Sequence, residues 1–522
     1  MKPLIGKKGR YAVMFVTVLL IIVSGILFFR VNTNYDLTEY LPEDSQTSQG
    51  LEVLEDTFGN HGTVQLMVEN VSLQEAKTAK DKIVPIDGVR QVVWLDDEAD
   101  ITNPDEIDSS LKAEYYSDEN ALITIVFIED GYSLEIEDTL NEIRSELEPH
   151  KIYIRGDAVN NIESRNIAES EVITMILILL PVSLVVLLFA SKSWIEPLLL
   201  LFVLGVGVLV NAGSNAFLPS VSFITLTIAA ALQLAISLDY SLFFIHRYYE
   251  FKDEGDKAST AVNKAFKKAL PVITTSAITT IAGFLALLFM RYGIGMDIGI
   301  VLSKGILLSY LSVIVILPVI IVIFDKALQK TRHPHFMFNL GFLKDFFIKF
   351  RYGIAGLALV ILILGVIFQT QTTYIFGQEG YGGSDSRVAT DAETINETFP
   401  ELQDITIILG SSTKTKELNL IQDLNAHPDV IKVDALYTKI DPSTPEAFIP
   451  DQVMNQYHQN GYSRITVYTD IVKENQAMFE LDDDVEMMTG EVYEEYYMLG
   501  VISSTSEIRD TVLEDTPIVL LA

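Results

Sequence analysis

The 522 residues include no cysteine. That absence excludes a disulfide framework, thiolate metal sites and a cysteine nucleophile. Any large domain must therefore hold together by its own core. The usual marks of enzymatic chemistry are missing as well: there is no nucleophile elbow, phosphate loop or zinc-type histidine pair. His61, His150, His427 and His458 are scattered without metal-ligand spacing. Bases are scarce, 37 Lys and Arg against 70 Asp and Glu. Such an acidic chain is unsuited to nucleic acid, whose phosphates need basic partners. Neither an enzyme nor a cofactor or metal is expected.

What is present is apolar sequence, 49% of the chain, and it is segregated from the charge. Long apolar runs occupy 11–29, 173–190, 197–218, 221–245, 269–290, 298–324 and 353–368. Each is about as long as the roughly 17–25 residues that cross a bilayer as a helix. Lipid offers the backbone no hydrogen bonds, so these runs predict helices and a polytopic membrane protein. Lys2, Lys7, Lys8 and Arg10 before the first run resemble a signal peptide. However, no small-residue cleavage site follows, and the same segment recurs mid-chain.

Bases cluster at the N-terminus, between His246 and Lys268, and between Lys326 and Arg351. If every run is a single span, these clusters share one side, which the distribution of bases makes cytoplasmic. The two large acidic segments then face outward. The composition suits a bacterial plasma membrane.

Arg10-Tyr11 recurs as Arg351-Tyr352, 341 residues later. The same spacing carries Thr57-Phe58 onto Thr398-Phe399 and Val64-Gln65-Leu66 onto Ile405-Thr406-Ile407. It drifts to 344 at Tyr153 and Gly156 against Tyr497 and Gly500. A repeat this long is an architectural half in tandem, and six helices per copy make it parallel. The expected layout is a first helix in 1–30, an outward domain in 31–170, helices two to six in 171–325, and a cytoplasmic linker in 326–350. A seventh helix then occupies 351–370, a second outward domain 371–514, and the start of an eighth helix 515–522.

Within the first outward domain the periodicity predicts strands at 64–68, 89–95, 123–128 and 152–155, with helices at 72–83 and 133–147. That is the β-α-β-β-α-β order of a ferredoxin-like fold. The second domain repeats it, with strands at 405–409, 430–436, 465–469 and 495–499 and helices at 415–425 and 474–488. Asp96-Asp97-Glu98 and Asp482-Asp483-Asp484 lack the spacing of a calcium loop and read as solvated surface.

The fourth apolar run contains a charge, Asp239. A carboxylate in a span costs roughly 2.5–3.5 kcal/mol to insert and marks proton relays, although it can also serve only as glue between helices. Gln233, Ser237 and Tyr240 form a polar stripe at i, i+4 and i+7, with Asp239 bordering it. Tyr240 can donate to the carboxylate or pass on a proton. On the fifth run Ser276, Thr280 and Gly283 form a small polar face, the best candidate neighbour. Lys304 in the sixth run can snorkel or pair with Asp297, seven residues earlier on the same face.

These residues carry a resemblance. Asp239-Tyr240 with Phe-Phe-Ile-His-Arg-Tyr after it, Thr274-Thr275-Ser276 through Leu287, Asp297-Ile298-Gly299 and Lys304-Gly305 resemble the MMPL branch of the resistance-nodulation-division (RND) transporters. The resemblance covers essentially the whole chain. It implies a polytopic α-helical protein with two extracytoplasmic α+β porter domains in a tandem parallel repeat, the second copy truncated. It implies proton-driven export of hydrophobic or lipid-like molecules, with membrane lipids, the substrate and protons as partners. Asp239 and Tyr240 would belong to the proton relay, with Gln233, Ser237, Ser276 and Thr280 as neighbours. The family's matching pair on the tenth helix has no counterpart here. The chain is then expected to be a fragment, a damaged product, or one that needs a partner chain. The alternative is a lipid- or sterol-sensing or protein-translocation accessory protein that does not pump.

Overall fold

The computed structural model describes residues 2–334, 346–369, 372, 374–377, 386–410 and 412–521. The chain opens with α1 (Lys7–Phe28), then α2 (Gln46–Thr57). A sheet domain follows: β1 (Thr63–Val68), α3 (Leu73–Ile83), β2 (Val89–Val93), β3 (Asn120–Phe127), α4 (Glu135–Glu146) and β4 (Ile152–Arg155). Next come the long helices α5 (Asp157–Ala190), α6 (Glu196–Ser214), α7 (Phe223–Asp253), α8 (Ala258–Leu285) and α9 (Gly293–Lys330). After α10 (Arg351–Gln369) and α11 (Arg387–Asn396) lies a second sheet domain. It holds β5 (Gln403–Gly410), α12 (Lys414–Asn425), β6 (Lys432–Asp434), β7 (Tyr462–Thr469), α13 (Gln476–Val492) and β8 (Tyr496–Leu499). The last element is α14 (Val501–Leu521).

Among the described residues six helices are long and apolar enough to cross a membrane: α1, α6, α7, α8, α9 and α10. The remaining apolar run, Thr174–Ala190, is the end of α5. That helix starts directly after β4 and continues for 34 residues. Residue 170, expected as a domain boundary, therefore lies inside an unbroken helix. α5 to α9 and α1 share one apolar core that includes Leu200, Val203, Phe244, Ile306 and Leu317. No residue of the apolar window of α10 is buried.

Both sheets are antiparallel, in the order β2-β3-β1-β4 and β6-β7-β5-β8. Alternation builds them: Val64, Leu66 and Val68 point into the core, as do Ile405, Ile407 and Leu409. α3 begins where Ser72 and Glu75 form a capping box, and it buries Ala76, Ala79 and Ile83. The strands expected at 89–95 and 430–436 end early. Asp97 accepts from Trp94 N at 2.9 Å and Thr438 Oγ1 accepts from Ala435 N at 2.9 Å, each winding a helical turn. Helices Ser109–Tyr115 and Asp451–Tyr457 were not expected, because seven residues are too few for a periodic signal.

The reading of the acid clusters as solvated surface needs correction. Asp96 and Asp97 each sit 2.6 Å from the buried Lys80 ammonium. Asp482 is buried and accepts from Ser503 Oγ at 2.6 Å.

The two sheet domains exchange a helix. α2, which precedes the first sheet, packs on β8 of the second: a Cβ at Gly50 would lie 2.7 Å from that of Tyr497. α11, which precedes the second sheet, packs on β4 of the first. There Arg155 donates to Asn396 and, at 2.7 Å, to Phe399 O, while Asp391 accepts from Ile154 N at 3.3 Å.

Candidate functional site

The chemistry-bearing residues of the bundle gather on α6, α7 and α9. Gln233, Ser237 and Tyr240 recur at helical spacing and all three face the bundle interior. Gln233 is the centre. Its carbonyl accepts from Asn211 Nδ2 at 2.9 Å, and its amide donates to Gly305 O and to Ser309 Oγ, each at 2.9 Å. A Cβ at 305 would lie 2.7 Å from Asn211 Nδ2 and 2.9 Å from Gln233 Oε1, so a larger residue there would have to displace the amide pair. In hydrocarbon such amides must satisfy one another, which ties three helices at one level.

Lys304, next to Gly305, is half-buried and turned toward the end of α6. It donates to Asn215 Oδ1 at 2.5 Å and to Asn211 O at 3.4 Å. Of the two expected alternatives for Lys304, the ion pair with Asp297 is corrected, since no such pair forms among the described residues. Asp297 instead accepts from Ser222 N at 2.8 Å, at the start of α7. The carbonyl-rich C-terminal end of a helix attracts a cation, which accounts for this choice.

Asp239 lies one step round from Tyr240 and is exposed on the outside of the bundle. Among the described residues it has no hydrogen bond or ion pair. Tyr240 Oη and Ser237 Oγ are buried and likewise have no hydrogen-bond partner there. The face expected beside Asp239 on α8 turns the same way, outward: Ser276 is exposed, and Thr280 Oγ1 donates to the Ser276 carbonyl at 3.0 Å. The structure thus gathers Gln233, Ser237 and Tyr240 on the inner face and leaves Asp239 and Ser276 outside. Asn211, Asn215, Gly305 and Ser309 escaped the sequence reading as site residues. An amide pair at i, i+4 in an apolar run was the available signal.

At the far end of the bundle, Tyr248 donates to Asp325, whose carboxylate also lies 3.3 Å from Lys252. Glu196 is fully buried there and accepts from Lys192 N at 2.9 Å.

Six long apolar helices, with a buried amide cluster and a half-buried lysine among them, fit a polytopic membrane protein. Residues 102–338 match the family model described as MMPL family. The sulfolipid-1 exporter MmpL8 of Mycobacterium tuberculosis is 28% identical over 94 residues, 18% of this chain and 9% of that protein. The siderophore exporter MmpL5 of the same organism is 24% identical over 190 residues, 35% of this chain and 20% of that protein. MmpL12, named a probable transport protein, is 28% identical over 142 residues, 26% of this chain and 12% of that protein. The aligned stretches span far less than two thirds of these relatives. Together the matches show that this chain is similar to MMPL-family transport proteins, the family model matching residues 102–338.

Proposed function

We propose that the chain works in a proton-driven exporter of hydrophobic or lipid-like molecules. α1 and α5 to α9 form one membrane unit and the two sheet domains are extracytoplasmic porter domains, with the N-terminus on the cytoplasmic side. The observation that carries this reading is the division at Asp239-Tyr240. The phenol belongs to a buried polar stripe, whereas the carboxylate lies on the exposed face of an apolar helix and has no partner among the described residues. A charge left there against lipid costs about 2.5–3.5 kcal/mol or more. Protonation removes that cost, and so does a second membrane unit or water covering the face. In the proposed cycle, proton uptake by Asp239 changes its contacts across that face and rocks the sheet domains, which alternately accept and release substrate. Names of relatives that export a sulfolipid and a siderophore agree with an amphiphilic substrate.

The test is Asp239→Asn in the full-length protein, measured as efflux of a lipophilic fluorescent dye driven by an imposed proton gradient. Export should fall to background. Undiminished export refutes the assignment of proton coupling to Asp239, while an unaltered protein that exports no dye favours a sensing or accessory role.

A further inference from the structure

α14 carries two carboxylates that each seize the start of another helix. Glu507 accepts from Gln46 N and Thr47 N, both at 2.8 Å, at the first turn of α2. Eight residues on, the fully buried Asp515 accepts from Arg291 N at 2.8 Å and Tyr292 N at 2.9 Å, just before α9. Carboxylates are favoured at such positions by the unsatisfied N–H groups and the helix dipole. The Arg291 side chain closes the arrangement, lying 3.1 Å from Glu514 and 3.2 Å from Asp44. Three segments far apart in sequence, around 44–47, 291–292 and 507–515, are thereby fastened at one place.

What lies beyond each segment gives the joint its meaning. α14 leaves β8 through Gly500, whose Cβ position would be 2.6 Å from Asp404 O, so the start of the helix lies closely against the second sheet. α9 carries Gly305 and Ser309, the partners of Gln233 in the membrane. α2 lies on β8. The acidic positions also recur in the first copy, with Glu163 and Glu171 on α5 standing 344 residues before Glu507 and Asp515.

We propose that Asp515 is a positioning residue for transport, linking movement of the second sheet domain to axial movement of α9 and so to the buried amide cluster. This inference rests on the exporter reading. Asp515 acts through the backbone of Arg291 and Tyr292, whose N–H groups it accepts from. Arg291 contributes through its main chain, and its exposed side chain is secondary.

The test uses the full-length protein and exploits its lack of cysteine. Cysteines at Leu288 and Leu513, spin-labelled, report the distance across the joint. D515A should broaden that distance distribution and lower the maximal rate of dye efflux at least about tenfold, leaving the half-saturating dye concentration within about twofold. D515N, which keeps the volume and one acceptor, should fall between, and R291A should stay close to the unaltered protein. If D515A is poorly folded, D515N decides alone, by a rate loss accompanied by broadening. A D515N or D515A protein with unchanged rate, or with a lost rate and an unchanged distance distribution, overturns the proposal. D239N separates the two claims. Full export in D239N defeats the proton-coupled reading at Asp239, while the distance measurement still tests the joint.

Discussion

Arg155 of the first sheet donates to the carbonyl of Phe399, which lies beyond α11, at 2.7 Å. The arginine is almost wholly buried and also serves Asn396, so its removal strands acceptors on both sides of the domain contact. R155A should cost about 2–4 kcal/mol, mostly as unpaired buried groups. The expected signature is faster hydrogen exchange in 387–396 with little change in β5 and β7. Uniform acceleration across both sheets contradicts it.

Gly305 faces the amide pair with no room for a methyl group. G305A should lower stability in detergent by about 1–3 kcal/mol, the usual penalty for overpacking. Gly353 is the control: its Cβ position on α10 has nothing within 4 Å, so alanine there should be neutral or stabilising. Equal thermal midpoints for the two variants would show that the close contact at 305 is unimportant.

Burial pushes the Asp482 carboxyl up to about 6, against the lowering effect of its bonds to Ser503 and Ser506. A raised acid pKa means the folded state holds its proton to higher pH than the unfolded chain does. The stabilisation is therefore fully present below the unfolded value near 4 and lost as pH rises through about 6. α13 should show slower hydrogen exchange at the acidic end of that window. D482N should flatten the dependence; a slope that survives the substitution must come from other groups.

Lys80 holds Asp96 and Asp97 with its ammonium while its stem is buried. K80M keeps much of the packing but leaves two acids facing an apolar side chain. A loss of about 1–3 kcal/mol is expected, since both acids are part-exposed and water relieves some of the cost. Rising salt should narrow the gap between variant and parent. A gap that is insensitive to salt implies that packing, and not charge, sets the loss.

The sheets were readable because a strand with one buried face must alternate, and Val64, Leu66 and Val68 do so. The spans were readable because hydrocarbon tolerates few other sequences. The stripe Gln233, Ser237 and Tyr240 followed from helical spacing alone. Partners were not readable. Spacing put Asp297 on the same face as Lys304, yet nothing local records that the end of α6 lies nearer. Nor does any periodic pattern announce that α2 and α11 trade places, because each is a short helix whose buried side faces a sheet hundreds of residues away. In the sequence Asp515 is only the first residue of the expected eighth helix; the folded chain brings it to Tyr292.

The unbroken α5 has a mechanical consequence. At about 1.5 Å per residue its 34 residues reach roughly 50 Å, so a tilt of about 5° at the Asp157 end swings the Ala190 end by about 4 Å. Pro181 withholds one hydrogen bond near the distal third, so the shaft is stiff where it leaves the sheet and compliant where it nears its tip. A small change of angle at the sheet end of such a helix is thereby magnified into a displacement at its apolar end, with Pro181 between the two.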